Sequence, residues 1–230
     1  MGGLGALILA SVLFVGSHFV GSSAPVRDLL ATRLGERGFL AVYSIVAAVL
    51  LISMISAYGR APVVPLWTPA TWMYWLPAIF MVPATLFAVA AVSQDNPTAV
   101  MQHLRSGDRP APGILAITRH PLMWGIALWA LAHIPPNGTA ADLIFFGSFA
   151  ILALGGTLVI DAKKRRQWGE AEWRRLAEQT SNLPFAAILA GRARLRLGEI
   201  GGLRIIGAAT LYVLFVFGHP FIAGVPAVAP

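Results

Sequence analysis

The chain has 230 residues, of which 57% are hydrophobic and only 12% charged, and its mean hydropathy is +0.72. An ordinary soluble domain is about 25% charged, so this composition excludes that class and indicates a polytopic membrane protein. The absence of cysteine excludes disulfides, thiolate-ligated iron–sulfur clusters and thiolate catalysis.

Six apolar runs of about 20 residues follow one another along the chain, each long enough to cross a hydrocarbon core of about 30 Å. They cover residues 1–20, 39–58, 72–92, 113–134, 140–160 and 203–222. No Lys or Arg precedes the first run, so we interpret it as a retained span rather than a signal peptide. The sequence predicts an all-α membrane protein, with one domain over residues 1–230 and a bundle of about six transmembrane helices.

The basic residues predict the orientation of these spans. All of the 17 Lys and Arg residues except Arg60 fall in alternate loops or at the adjoining span ends. Because Lys and Arg concentrate on the cytoplasmic side, we expect a multi-pass protein of the cytoplasmic membrane with both termini periplasmic. The cations are where membrane topology needs them, so the net charge of +7 does not indicate a nucleic-acid partner.

The cytoplasmic loops carry amphipathic patterns that predict interfacial helices. Residues 23–38 place apolar side chains at helical spacing, and Asn96-Pro97 is typical of a helix start. The longest loop, residues 161–199, is expected to be the largest soluble part. Its Trp168 and Trp173 are predicted to be interface aromatics.

Five histidines are the candidate functional residues, and one of them, His103, falls on the polar side of a predicted loop helix and is expected to be solvated. The other four, which lie within or at the ends of spans, are His18, His120, His133 and His219. Ionisable residues inside membranes are rare and tend to be functional. The spans carry no matching carboxylates apart from Asp142 and Asp161, which argues against a proton-relay transporter and a carboxylate-bridged metal pair. Imidazoles without thiolates or carboxylates suit axial ligation of haem.

The depths of these histidines follow from the helical rise of 1.5 Å per residue. His18 lies roughly 24 Å into the first span, near the inner surface, and His120 is also near the inner end of its span. His133 lies roughly 20 Å from His120, toward the outer side, as does His219. Straight helices therefore pair His18 with His120, and His133 with His219.

Several short motifs together resemble the NnrU family over nearly the whole chain. They are Arg119-His120-Pro121, Trp124-Gly125, Leu131-Ala132-His133, Asp161 with its basic cluster, residues 180–188, Gly191-Arg192, Gly16-Ser17-His18 and Gly218-His219-Pro220. The resemblance implies a role in denitrification, in nitrite and nitric oxide metabolism. The family has a plant relative, zeta-carotene isomerase, which uses haem b to isomerise a cis double bond in a carotene. The resemblance therefore also implies that this chain binds haem b and acts as an isomerase.

Carried over by motif, this resemblance implies His18 and His133 as the haem ligands, whereas the depth estimate favours His18 with His120. The two alternatives stay open at this point. For the haem propionates, Arg119 and Arg192 are the candidate partners, because guanidinium groups match carboxylates bidentately.

A second resemblance concerns the Arg-His-Pro start followed by an apolar helix, which is similar to the isoprenylcysteine carboxyl methyltransferase group and implies S-adenosylmethionine. The Glu and Tyr pattern of that group is not found downstream.

Three functions therefore compete: a haem redox or sensor protein acting on nitric oxide, a haem-dependent isomerase of a lipid-soluble polyene, and a membrane methyltransferase. The expected partners are the lipid bilayer, haem, and either nitric oxide or a small lipid-soluble substrate.

Overall fold

A computed structural model describes residues 3–99 and 113–227, and these residues form helices joined by short loops. The helices are α1 (Leu4–Ser22), α2 (Ala24–Tyr58), α3 (Trp75–Ser93), α4 (Pro121–Asn137), α5 (Ala140–Trp168), α6 (Glu170–Gln179), α7 (Ala186–Leu189), α8 (Leu197–Ile200) and α9 (Gly202–Ala223). The all-α prediction is confirmed. Helix α3 is preceded by a 3-10 turn at Thr71–Tyr74.

Within the described ranges, five helical segments are long and apolar enough to cross a membrane: α1, α2, α3 with its 3-10 turn, α5 and α9. The fourth predicted span differs from the structure, because helix α4 starts at Pro121 instead of Gly113 and has only 17 residues. Residues 113–116 form a separate 3-10 turn. Proline at the first helical turn, where its missing N–H has no partner, explains the late start.

The long helices pack side by side in an order that differs from the chain order. Helix α2 contacts α1, α1 contacts α5, α5 contacts α4, α4 contacts α3, and α3 contacts α9. A cluster of buried apolar residues joins α1, α2, α4 and α5, with Leu7, Phe14, Met54 and Ala130 among its members. Helix α5 therefore separates α1 from α4, and this separation matters for the histidines on those two helices.

The helix predicted for residues 23–38 is present, and it runs on into the second span as one element, α2. A bend separates the two parts at Gly35, which has a φ of 72° and a ψ of 163°. Positive φ is a conformation that glycine adopts without a Cβ penalty. At the predicted loop-helix start, Asn96 accepts a hydrogen bond from the Thr98 backbone N–H at 3.0 Å and the chain forms a turn. The remainder of that predicted helix lies outside the described residues.

The turn between α4 and α5 packs against the loop of residues 59–70. Gly138, with a φ of 71°, accepts hydrogen bonds through its carbonyl from the backbone N–H groups of Leu66 and Trp67, at 2.8 and 3.2 Å. Thr139 and Asp142 form a capping box at the start of α5, which satisfies N–H groups that have no intrahelical partner. These contacts fix the α4–α5 hairpin at one end, and a second group of contacts fixes it at the other.

Candidate functional site

A mostly buried carboxylate, Asp161 in the last third of α5, binds two side chains from the start of α4. The Nε–H of Arg119 donates to Asp161 Oδ1 at 2.9 Å, and Nη2 pairs with Oδ2 of the same side chain. His120 Nε2–H donates to Oδ1 at 2.7 Å. The Arg119 guanidinium also lies over the ring of Trp173, 5.2 Å from its centroid. We call Arg119, His120, Asp161 and Trp173 the Asp161 cluster.

The Asp161 cluster is largely shielded from solvent, with side-chain exposures of 11% for Arg119, 15% for Asp161 and 1% for His120. A buried ion pair is tolerated when further hydrogen bonds satisfy its polar atoms, and the second donor from His120 meets that condition. Trp173 is buried, so its prediction as an interface aromatic is wrong: its ring packs under a cation.

The segment that leads into α4 is held in place by residues that follow α6 in sequence. The Arg119 backbone N–H donates to the Ser181 carbonyl at 3.0 Å, and the Thr118 hydroxyl donates to the Asn182 carbonyl at 2.6 Å. The Phe185 N–H donates to the Ile117 carbonyl at 2.9 Å. These bonds fix residues 117–119 in a non-helical conformation, so the apolar sequence from Gly113 does not form one continuous helix.

Asn182 joins three parts of the chain through its side chain. Its Nδ2 donates to the Thr157 hydroxyl of α5 at 2.9 Å, and its Oδ1 accepts a hydrogen bond from Trp124 Nε1 of α4 at 3.3 Å. The motifs around residues 119–121, 124, 161 and 180–188 therefore converge at one end of the α4–α5 hairpin. Their common location is a structural result that spacing in the sequence does not reveal.

Arg192 lies against the end of α6, where its Nη1 donates to the carbonyls of Ala177, Glu178 and Thr180 at 2.8 to 3.0 Å. The last carbonyls of a helix have no intrahelical donor, and a cation there interacts favourably with the helix dipole. Both arginines that the sequence offers for haem propionates thus have protein partners, Arg119 on Asp161 and Arg192 on α6.

His18 is half-buried on α1, and its Nδ1–H donates to the Phe14 carbonyl at 2.7 Å. Its ring lies 4.6 Å from that of Phe14 and 5.7 Å from that of Tyr43 on α2, between centroids. The hydrogen bond favours the tautomer that carries the proton on Nδ1 and a lone pair on Nε2.

His133 and His219 come together from α4 and α9, with ring centroids 6.4 Å apart and ring planes 22° from parallel. His133 Nδ1–H donates to the Trp129 carbonyl and His219 Nδ1–H to the Val225 carbonyl, each at 2.7 Å. This contact agrees with the pairing that the helical depths predict. In both residues the lone pair is again on Nε2.

His18 and His133 lie at different levels along α5, which contacts both of their helices. Next to His18, the ring of Phe19 packs against Gly155, and the His133 ring lies 5.2 Å from that of Phe146. Gly155 lies nine positions after Phe146 in α5, which corresponds to about 13 Å along the helix. In the described parts of the chain, no group of three or more His, Cys, Asp or Glu side chains is arranged to hold a metal ion. His103 lies outside the described residues.

Comparison with known proteins assigns the family. The model of the family described as NnrU protein matches residues 6–227. The chain belongs to the NnrU family. It is also 28% identical over 237 residues to the chloroplastic 15-cis-zeta-carotene isomerase of Arabidopsis thaliana, covering 95% of this chain and 60% of that protein. The corresponding enzyme of Zea mays is 25% identical, with 93% and 59% covered.

The chain thus spans about 60% of the length of these curated relatives. No solved structure matches it. The resemblance seen in the sequence motifs is confirmed at the level of the family and of the relation to the plant isomerases.

Sequence reasoning assigned no partner to Asp161 or Asn182, and it placed Trp173 at the membrane interface instead of against Arg119. Asp161 is one of two carboxylates at the ends of the fifth predicted span, and a buried carboxylate needs a cation or donors nearby. That signal points to Arg119 or His120, at the start of the preceding span and therefore at the same side of the membrane. For Trp173 and Asn182 the sequence carries no comparable signal.

Proposed function

We propose that this protein catalyses cis–trans isomerisation of a carbon–carbon double bond in a lipid-soluble polyene such as a carotene. The observation that carries the proposal is the similarity to two 15-cis-zeta-carotene isomerases over more than nine-tenths of the chain. The reaction gains and loses no atom or electron overall. The similarity favours this function over the redox or sensing role in denitrification that the family resemblance also implies.

An apolar seam between α1 and α2 supports the proposal. A cavity of about 630 Å³ opens there between Leu9, Leu13, Leu50 and Ala57, among others. Its position on the helix surface suits entry of an apolar molecule from the bilayer rather than from water.

A second cavity of about 220 Å³ follows along the same seam, lined in part by Ser17, Gly21, Val46 and Tyr43. Ser17 follows the Leu13 position by one helical turn, so the two cavities are in line. The His18 ring contacts Tyr43 at the second cavity. We propose that an extended polyene lies along this seam, which we call the α1–α2 seam.

Haem b is the proposed cofactor. The described residues suit it in one respect, since His18, His133 and His219 each donate Nδ1–H to a backbone carbonyl and keep Nε2 for a metal. When bound, haem would supply an iron centre that can bind or release a ligand or an electron. The protein itself supplies the imidazoles, orients the polyene and excludes water.

Methyl transfer gains no support from the described contacts. The Tyr212 hydroxyl donates to the Ala78 carbonyl, and Glu170 and Glu172 pair with arginines at the surface. We therefore do not propose it.

The experiment that tests the isomerase function uses the full chain, purified and loaded with haem, in liposomes that contain 15-cis-zeta-carotene in the dark. Separation of the carotene isomers by chromatography measures the conversion. Conversion above that of liposomes with haem but no protein is the expected result. Equal conversion in both, with the protein folded and loaded, would overturn the proposal.

A further inference from the structure

We propose that the larger cavity of the α1–α2 seam binds an anionic phospholipid, with one acyl chain in the cavity and the phosphate against the Arg60 guanidinium. This inference goes beyond the proposed function, because an uncharged polyene leaves Arg60 without a partner. It adds to the cavity a charged ligand of a different chemical class.

Arg60 departs from the charge pattern of the rest of the chain. All the other Lys and Arg residues fall in alternate loops or at the adjoining span ends. Arg60 follows the end of α2 by two positions, at the level where helices leave the hydrocarbon and meet the lipid headgroups. Its side chain is exposed, and its guanidinium forms no ion pair or hydrogen bond with any residue that the structure describes. It is therefore available to an anion from outside the protein.

The cavity that Arg60 lines is otherwise apolar. Leucine, alanine and glycine residues of α1 and α2 form its walls. Among the described lining residues, Ser53 is the one other polar side chain, and its hydroxyl donates to the Val49 carbonyl at 2.8 Å. A single cation at the rim of an apolar cavity complements an amphiphile that has an anionic head and a hydrocarbon chain.

The length of the cavity corresponds to most of one bilayer leaflet. Its lining runs from Gly5 to Leu13 on α1 and from Leu50 to Ala57 on α2, which is roughly 10–12 Å along helices of 1.5 Å rise per residue. A hydrocarbon core of about 30 Å gives each leaflet about 15 Å. An acyl chain that runs parallel to the helices, from a headgroup at Arg60, therefore fits the cavity.

The charge of Arg60 favours an anionic lipid over a zwitterionic one. A guanidinium binds two oxygens of a phosphate at once, and in a zwitterionic headgroup the lipid's own cation competes for that phosphate. One basic residue near the membrane surface favours anionic lipid by about fivefold. The acyl chain and the polyene would share the cavity, so an entering polyene displaces the chain.

The experiment places the full-length protein in nanodiscs that contain a photoactivatable phosphatidylglycerol, with a diazirine in one acyl chain, or the matching phosphatidylcholine. Illumination attaches the lipid to nearby residues, and mass spectrometry of peptides measures attachment to residues 5–13 and 50–57. Attachment to the exposed Leu203 and Phe221 of α9 corrects for bulk lipid. Phosphatidylglycerol is expected to label the cavity about fivefold more than phosphatidylcholine.

Matched variants separate the charge from the cavity. Arg60→Gln is expected to remove the preference, whereas Arg194→Gln, at an exposed arginine between α7 and α8, is expected to keep it. Leu9→Trp is expected to reduce labelling of the cavity by both lipids, because an indole fills the space of the chain.

Equal labelling of the cavity by the two lipids, or an unchanged preference in Arg60→Gln, would overturn the proposal. A preference abolished by excess glycerol phosphate, which has no acyl chain, would show that Arg60 binds a free phosphate and would also overturn it. No carotene is present in these measurements, so they succeed or fail independently of isomerisation.

Discussion

His120 Nε2 lies 2.7 Å from Oδ1 of Asp161, so a histidine that the sequence offers as an iron ligand connects the start of α4 to α5. The same carboxylate binds Arg119, and the three residues come from two separate motifs. The Asp161 cluster is therefore best understood as the contact that positions α4, and with it His133, within the bundle.

Replacing Asp161 with asparagine is expected to destabilise the protein by about 3–5 kcal/mol, because it leaves the buried Arg119 charge without its partner. Thermal unfolding of the purified protein in detergent measures the loss. Glu170→Gln is the matched control, since it breaks exposed pairs with Arg165 and Arg174, and exposed ion pairs contribute little to stability. Equal losses in the two variants would contradict the role of the Asp161 cluster.

His120→Gln is expected to retain most of the stability, because a glutamine amide can still donate to Asp161. His120→Ala removes the donor and is expected to cost about 1–3 kcal/mol. Both variants should keep the absorption spectrum of the haem-loaded unchanged protein. If His120→Gln and His120→Ala both lose that spectrum while remaining folded, His120 is an iron ligand.

A bulky side chain in the α1–α2 seam is expected to reduce isomerisation without loss of folding. Leu13→Trp places an indole in the larger cavity and should lower the rate of carotene conversion several-fold by obstructing the seam. Leu203→Trp is the control, since Leu203 is 87% exposed on α9. The rates are compared at equal haem loading, and unchanged conversion by Leu13→Trp would exclude the seam as the substrate site.

The predicted orientation is testable because the chain has no cysteine, so single cysteines can be introduced without background. Thr68→Cys, in the exposed loop before α3, and Ala171→Cys, exposed on α6, lie on opposite sides of the membrane in the proposed topology. A membrane-impermeant thiol reagent added to intact cells should label only Thr68→Cys. Labelling of Ala171→Cys alone would reverse the orientation.

The sequence predicts the spans well because each is an apolar run of the length that a bilayer requires. The sequence misplaces the start of the fourth span because the apolar run is uninterrupted from Gly113. In the structure, hydrogen bonds to residues 181–185 hold the backbone before α4. Such contacts join positions more than 60 residues apart, which a local pattern does not contain.

The same contrast applies to the histidines. Helical rise alone predicts that His133 lies level with His219, because both depths follow from counting along straight helices. It also places His18 and His120 at the same side, but it contains no information about Asp161 as the partner of His120. The motif resemblance selects His18 and His133 because their motifs match those of the family. It takes no account of the difference in depth between them.

The most direct test of the proposed function follows the geometry of the central double bond of 15-cis-zeta-carotene in liposomes that contain the haem-loaded protein, in the dark. Conversion to the trans isomer is expected to depend on protein concentration and to decrease in Leu13→Trp but not in Leu203→Trp. A folded, haem-loaded protein that leaves the cis isomer unchanged relative to protein-free liposomes would contradict the proposed function.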